Sequence, residues 1–68
     1  MKSIVMSKPN LQSILKGLRV AGIEVTKIGE SGYKGEHKGE LVLKALKGRN
    51  GYLVRYGEIN GHDLIVTG

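Results

Sequence analysis

ELVLKALKGRNGYLVRYGEINGHDLIVT, residues 40–67, is the stretch on which the fold turns. Three runs rich in Leu, Val, Ile and Tyr are separated by Asn50-Gly51 and Asn60-Gly61. Asn-Gly is the strongest short hairpin signal, because both residues tolerate the positive φ of a type I′ turn. The reading is a β-meander of strands 40–47, 52–59 and 62–67. A helix over 40–47 is the rival, given its Leu, Lys and Ala, but its length and the turn behind it favour a strand.

If both Asn-Gly pairs are two-residue loops, Arg49 lies opposite Tyr52, Lys47 opposite Val54 and Ala45 opposite Tyr56. Across the second loop Ile59 faces His62 and Glu58 faces Asp63. One sheet face then carries Val42, Leu46, Leu53, Ile59, Leu64 and Val66, a floor for a helix. The other carries Leu43, Val54, Tyr56 and Ile65, with Arg49, Tyr52 and Lys47 toward one end. Because side chains alternate with a period of two, a one-residue slip exchanges the faces. Glu58 opposite Asp63 costs stability, so either a cation or basic side chain sits between them or, as the sequence favours, this register is wrong.

Upstream lies GESGYKGEHKG, residues 29–39, with a tandem Lys-Gly-Glu. Such a density of Gly and charge reads as a long mobile loop or an open hairpin. Before it, residues 3–6 and 23–28 read as strands flanking a helix. Ser7-Lys8-Pro9 opens that helix, since Ser is a favoured N-cap and Pro is tolerated in the first turn. Leu11, Ile14, Leu15, Leu18 and Ala21 form its buried stripe, and Gly22 suits a left-handed C-cap. Strand, helix and strand with short joints predict a right-handed crossover between two parallel strands. The expected fold is one α+β domain over residues 1–68: a single helix on a mixed sheet of about five strands, β-α-β followed by a β-meander.

The chain has 68 residues and no cysteine, which removes disulfides, thiolate metal sites and cysteine nucleophiles together. So short a chain buries a thin core and leans on self-association or a partner. No apolar run approaches the roughly 20 residues of a membrane span, and no signal peptide is visible; a cytosolic location follows by default. Ser7 and Ser31 have no His-Asp pairing that spacing supports. His37 between Glu36 and Glu40, and His62 beside Asp63, read as surface pairs, so the chain is expected not to be an enzyme and to need no metal or cofactor.

Eleven Lys and Arg against six Asp and Glu give a net charge of +5. Up to Ile23 the chain has Lys2, Lys8, Lys16 and Arg19 and no acid. Lys8, Gln12, Lys16 and Arg19 fall within about 80° of each other on a helical wheel. Such a row suits phosphate contacts, or else is a solvated face covering the edge of the core. Two further sites are proposed by the sequence. Tyr33, Lys34 and Lys38 would tip a flexible basic finger. Tyr52 and Tyr56, with Lys47 and Arg49 near them, would resemble the aromatic and basic platforms on which single-stranded bases stack; the alternative is that both tyrosines are packing residues. Neither G-x-G-x-x-G nor G-x-x-x-x-G-K-[ST] is present, which disfavours a nucleotide pocket.

Residues 7–40, with Lys8-Pro9, Val25-Thr26 and Gly32-Tyr33-Lys34-Gly35-Glu36-His37, resemble the opening β-α-β and loop of the PII signalling proteins. That family's second helix has no counterpart after Glu40, and the resemblance is not adopted. Two functional expectations remain. One is a nucleic-acid-binding module that uses the basic helix face and the Tyr/Arg sheet face. The other is a protein-binding regulator or inhibitor, of a kind plausible in viruses and mobile elements, that meets an acidic protein surface or pairs as a homodimer through an apolar patch of Leu43, Val54, Tyr56 and Ile65.

Overall fold

The computed structural model describes residues 2–65 and contains one helix and five principal strands. In chain order these are β1 (Lys2–Met6), α1 (Lys8–Val20), β2 (Glu24–Ile28), β3 (Gly32–His37), β4 (Glu40–Gly48) and β5 (Gly51–Tyr56). A short hairpin of β6 (Glu58–Ile59) and β7 (His62–Asp63) follows.

The helix forms as its periodicity requires. Ser7 is the N-cap residue, although its side chain makes no capping bond, and Pro9 lies in the first turn. Leu11, Leu15 and Leu18 are buried and Ile14 is half-buried, while Ala21 is exposed as the C-cap residue. Gly22 takes φ +89°. The Gly22 N–H donates to Arg19 O and the Ile23 N–H to Leu18 O, at 3.1 and 3.0 Å. That pair of bonds is a Schellman motif, and Ile23 and Leu18 are both buried beside it.

The sheet order is β1-β5-β4-β3-β2, and every neighbouring pair is antiparallel. The expected helix, five strands and meander are present, but the mixed sheet is not. β1 and β2 do run in the same direction, as the crossover reading implied. They lie at opposite edges with three strands between them, so no parallel pair forms. The reason lies in the glycine-rich segment. Residues 32–37 form β3, the open hairpin of the two readings, and β3 pairs with β2 on one side and β4 on the other. Lys38 and Gly39 make its turn, both at positive φ (52° and 81°). One of its glycines serves close packing. A Cβ at Gly32 would stand 2.9 Å from Ile28 O, whereas one at Gly35 would make ordinary contacts with Ile23 and Leu43 at 3.4 and 3.5 Å.

The β4–β5 register also differs from expectation. The loop is Arg49-Asn50, with Gly48 opposite Gly51, Lys47 opposite Tyr52, Ala45 opposite Val54 and Leu43 opposite Tyr56. Gly51, at φ +125°, is needed as a strand residue because a Cβ there would stand 2.5 Å from Met6 O. The approach of β1 therefore takes the glycine that the turn signal had claimed. The second turn is as expected: Asn60 and Gly61 both have positive φ (54° and 79°), with Ile59 opposite His62 and Glu58 opposite Asp63. Gly57 separates β5 from β6 and bonds to Val42 and Leu64, so 52–59 is not one continuous strand. Val66 and Thr67 of the expected last strand lie outside the described residues.

Which face the helix covers is the reverse of the sequence reading. Leu43, Ala45, Tyr52, Val54 and Tyr56 are buried with Leu11, Leu15 and Leu18 in one cluster. Leu46 and Leu53 of the expected floor are 47% and 45% exposed. The alternation explains it: Lys44 and Arg55 share a face with Leu46 and Leu53. Covering that face would bury two unpaired cations, at a cost of several kcal/mol each. Val42 is the exception, buried at the register shift between β3 and β4.

Candidate functional site

Register places a cationic surface on the helix side of the sheet. Gln12 Nε2 donates to Tyr33 Oη at 3.2 Å, which pins the middle of α1 over β3. Lys8 and Lys16 lie one turn to either side of Gln12 on α1, and Arg19 follows on the same flank. Lys27 of β2 is the cross-strand partner of Tyr33. Ala45 of β4 is the partner on the other side, and Lys47 lies two residues beyond it on the same face. Five cations from three elements thus surround the Gln12–Tyr33 pair, and all five are exposed.

None of the five is ion-paired among the described residues. Among the described residues the ion pairs are Lys2–Asp63 and Lys34–Glu36. Strand alternation sends Glu24 and Glu36 to the opposite face, where they are register partners. Glu30 lies in the β2–β3 turn, Glu40 opens β4 opposite His37, and Glu58 and Asp63 lie in the terminal hairpin. The row read from the helix therefore stays without an ion pair among the described residues, and it gains Lys27, which sequence reasoning missed.

The rest of the expected constellation is dispersed. Tyr52 and Tyr56 are 5% and 4% exposed beneath α1, so they are core residues and offer no stacking platform. The Tyr52 ring packs against that of Tyr33, with centroids 6.3 Å apart and planes inclined by 49°. The proposed patch of Leu43, Val54, Tyr56 and Ile65 is buried as well. Tyr33, Lys34 and Lys38 do not share a fingertip, because alternate strand residues face opposite sides. Tyr33 is half-buried on the helix side, Lys34 faces away and bonds Glu36 Oε1 at 3.3 Å, and Lys38 occupies the turn. Arg49 is exposed in the β4–β5 loop, next along the chain from the strand that carries Lys47.

The open side of the sheet has a character of its own. Ser3, Arg55, Lys44, Lys34 and Thr26 are successive register partners across all five strands. The neighbouring row runs Val5, Leu53, Leu46, with Val5 57% exposed. Like charges directly opposite one another are unfavourable, and only Lys34 has a carboxylate partner. This face has no aromatic side chain, since Tyr33, Tyr52 and Tyr56 all lie on the other.

The Glu58–Asp63 pair receives the basic side chain it needs. Lys2 Nζ donates to Asp63 Oδ2 at 2.5 Å. That hydrogen bond, then the attraction of the same carboxylate, raises the Lys2 pKa above its ordinary value, against a smaller opposing effect of burial; Tyr56 and Glu58 add minor raising contributions. Among the described residues no three His, Asp or Glu side chains group as metal ligands, and no helix is long and apolar enough to cross a membrane. The chain matches no known protein family, no curated protein and no solved structure.

Proposed function

We propose that this chain is a non-enzymatic, cytosolic module that binds nucleic acid through the helix side of its sheet. The observation that carries the reading is the gathering of Lys8, Lys16, Arg19, Lys27 and Lys47 around Gln12–Tyr33, none of them ion-paired among the described residues. Cations fixed on a helix and two strands meet a phosphate backbone without sequence preference and release its counterions. The half-buried Tyr33 and the Gln12 amide are the polar groups available at the centre for a sugar or base edge.

The test is fluorescence anisotropy with labelled single strands and duplexes of about 20 nucleotides, between about 50 and about 200 mM salt. Removing two contacting charges with Lys16→Gln and Lys27→Gln should flatten the salt slope by about 1.4 on single strands and about 1.8 on duplex. Binding that is unchanged in that variant refutes the site.

A second reading rests on the row Val5–Leu53–Leu46 of the open face: a regulator whose partner is an acidic protein surface. Exposed aliphatics in register beside Arg55 and Lys44, without aromatics, suit a protein contact better than a base-stacking one. Leu46→Ser with Leu53→Ser should then abolish capture of a cellular protein while leaving nucleic-acid affinity unchanged.

A further inference from the structure

We infer that two copies of this chain associate through their β1 edges, forming one continuous sheet of twice five strands. The inference is independent of the nucleic-acid reading and rests on a side of the molecule whose one charge among the described residues, Lys2, is paired with Asp63. β1 pairs with β5 alone, so among the described residues its outer edge has no partner. Native sheets guard such edges with charge, proline or a bulge. The opposite edge is guarded: Glu24 and Lys27 lie on β2. β1 is not. Its one charge, Lys2, is held by Asp63, and Ser3, Ile4, Val5 and Met6 follow without proline, glycine or a register shift.

The flank of α1 above this edge is equally bare. Asn10, Ser13, Ile14 and Gly17 lie on the side of the wheel away from Lys8, Lys16 and Arg19, and a Cβ at Gly17 would meet nothing within 4 Å. Between strand and helix runs an open groove of about 490 Å³, lined by Ile4, Val5, Met6, Ser7, Asn10, Ser13, Ile14 and Ile65.

The occupant follows from charge. With a net charge of +5, copies of the chain repel one another over most of their surface. The β1 side, where Lys2 is already paired with Asp63, is where they meet without placing unpaired like charges together, whereas on the open sheet face the Arg55–Lys44–Lys34 rows would oppose their counterparts. A two-fold axis perpendicular to the sheet pairs β1 antiparallel with its copy and brings the two bare helix flanks together, an isologous contact. It leaves both cationic helix flanks facing outward.

Sedimentation equilibrium across about 1 to about 500 µM protein tests this. The expected species at high concentration has twice the 7.4 kDa chain mass, and its fraction rises with salt as the net charges are screened. That is opposite to the salt dependence of nucleic-acid binding, so the two readings fail separately. Ser13→Lys with Gly17→Lys, both at exposed positions on the bare helix flank, should return the protein to 7.4 kDa with its circular dichroism unchanged. In parallel, the β1 amides of the wild type should exchange more slowly at high than at low concentration. A wild type that stays at chain mass throughout overturns the inference, including the case in which β1 amides are protected within a monomer. So does a dimer that survives Ser13→Lys/Gly17→Lys but is lost in Leu46→Lys/Leu53→Lys, which would move the contact to the open face.

Discussion

Gly51→Ala puts the strand arrangement to a quantitative test. Gly51 has φ +125°, and an added Cβ would stand 2.5 Å from Met6 O and 3.3 Å from Met6 C. The obstacle is backbone in the neighbouring strand, so no rotamer change relieves it. Alanine at such a φ costs about 1–3 kcal/mol, and displacing β1 from β5 adds to this, for a total of about 3 kcal/mol. A domain this small has about 3–5 kcal/mol in all, and each kcal/mol moves its melting temperature by about 4–8 °C. The melting temperature should therefore fall by at least about 12 °C in thermal circular dichroism. Gly17→Ala is the internal control. Gly17 lies within α1 with open space around it, and alanine there should gain about 0.5–1 kcal/mol. If Gly51→Ala changes stability by less than about 0.5 kcal/mol, β1 does not lie against the start of β5 as described, and the β4–β5 loop reverts to Asn50-Gly51.

Lys38 holds φ +52° in the β3–β4 turn, a conformation that costs a side chain other than Gly, Asn or Asp about 1 kcal/mol; Lys38→Asn should raise the urea midpoint, and no change would argue against a primed turn there. Lys2 has a raised pKa in the fold, so its pairing with Asp63 contributes fully below the unfolded lysine value and is lost as pH rises through the higher folded one. Melting temperature should consequently show a drop on the alkaline side, above the ordinary lysine pKa, that Lys2→Met lacks; equal alkaline profiles would remove Lys2 from the Glu58–Asp63 site. Tyr52 and Tyr56 are buried, so Tyr52→Phe and Tyr56→Phe should leave nucleic-acid affinity within twofold, about 0.4 kcal/mol; a tenfold loss in either would return the tyrosines to the binding surface.

Local patterns carried a large part of this protein. The Leu11–Leu15–Leu18 spacing with Gly22 specifies the helix and its end, because helix periodicity and a left-handed cap are properties of adjacent residues. Asn60-Gly61 specifies its turn for the same reason. The absence of acid along Lys8, Lys16 and Arg19 was legible too, whereas the Glu58–Asp63 pairing, which spoke against its own register, holds because Lys2 comes in from β1. The covered face was legible in principle: Lys44 and Arg55 alternate with Ala45 and Val54 and mark their own side as wet.

Other features exist only between distant segments. GESGYKGEHKG looks like a loop because its glycines offer no side chains to pack; it becomes a strand because β2 and β4 supply hydrogen-bonding edges and, at Gly32, the carbonyl oxygens of Ile28 and Ala45 fill the space that a Cβ would need. Gly51 belongs to its strand and not to its turn because β1, more than forty residues away in sequence, comes within 2.5 Å of where its side chain would be. Lys27 and Lys47 join the helix cations because register across β2, β3 and β4 brings them to one side. Composition and spacing determined the elements and the charge. Strand pairing decided which cations share a surface, since neighbours across a sheet are chosen by backbone hydrogen bonding and burial, to which each residue contributes only a part.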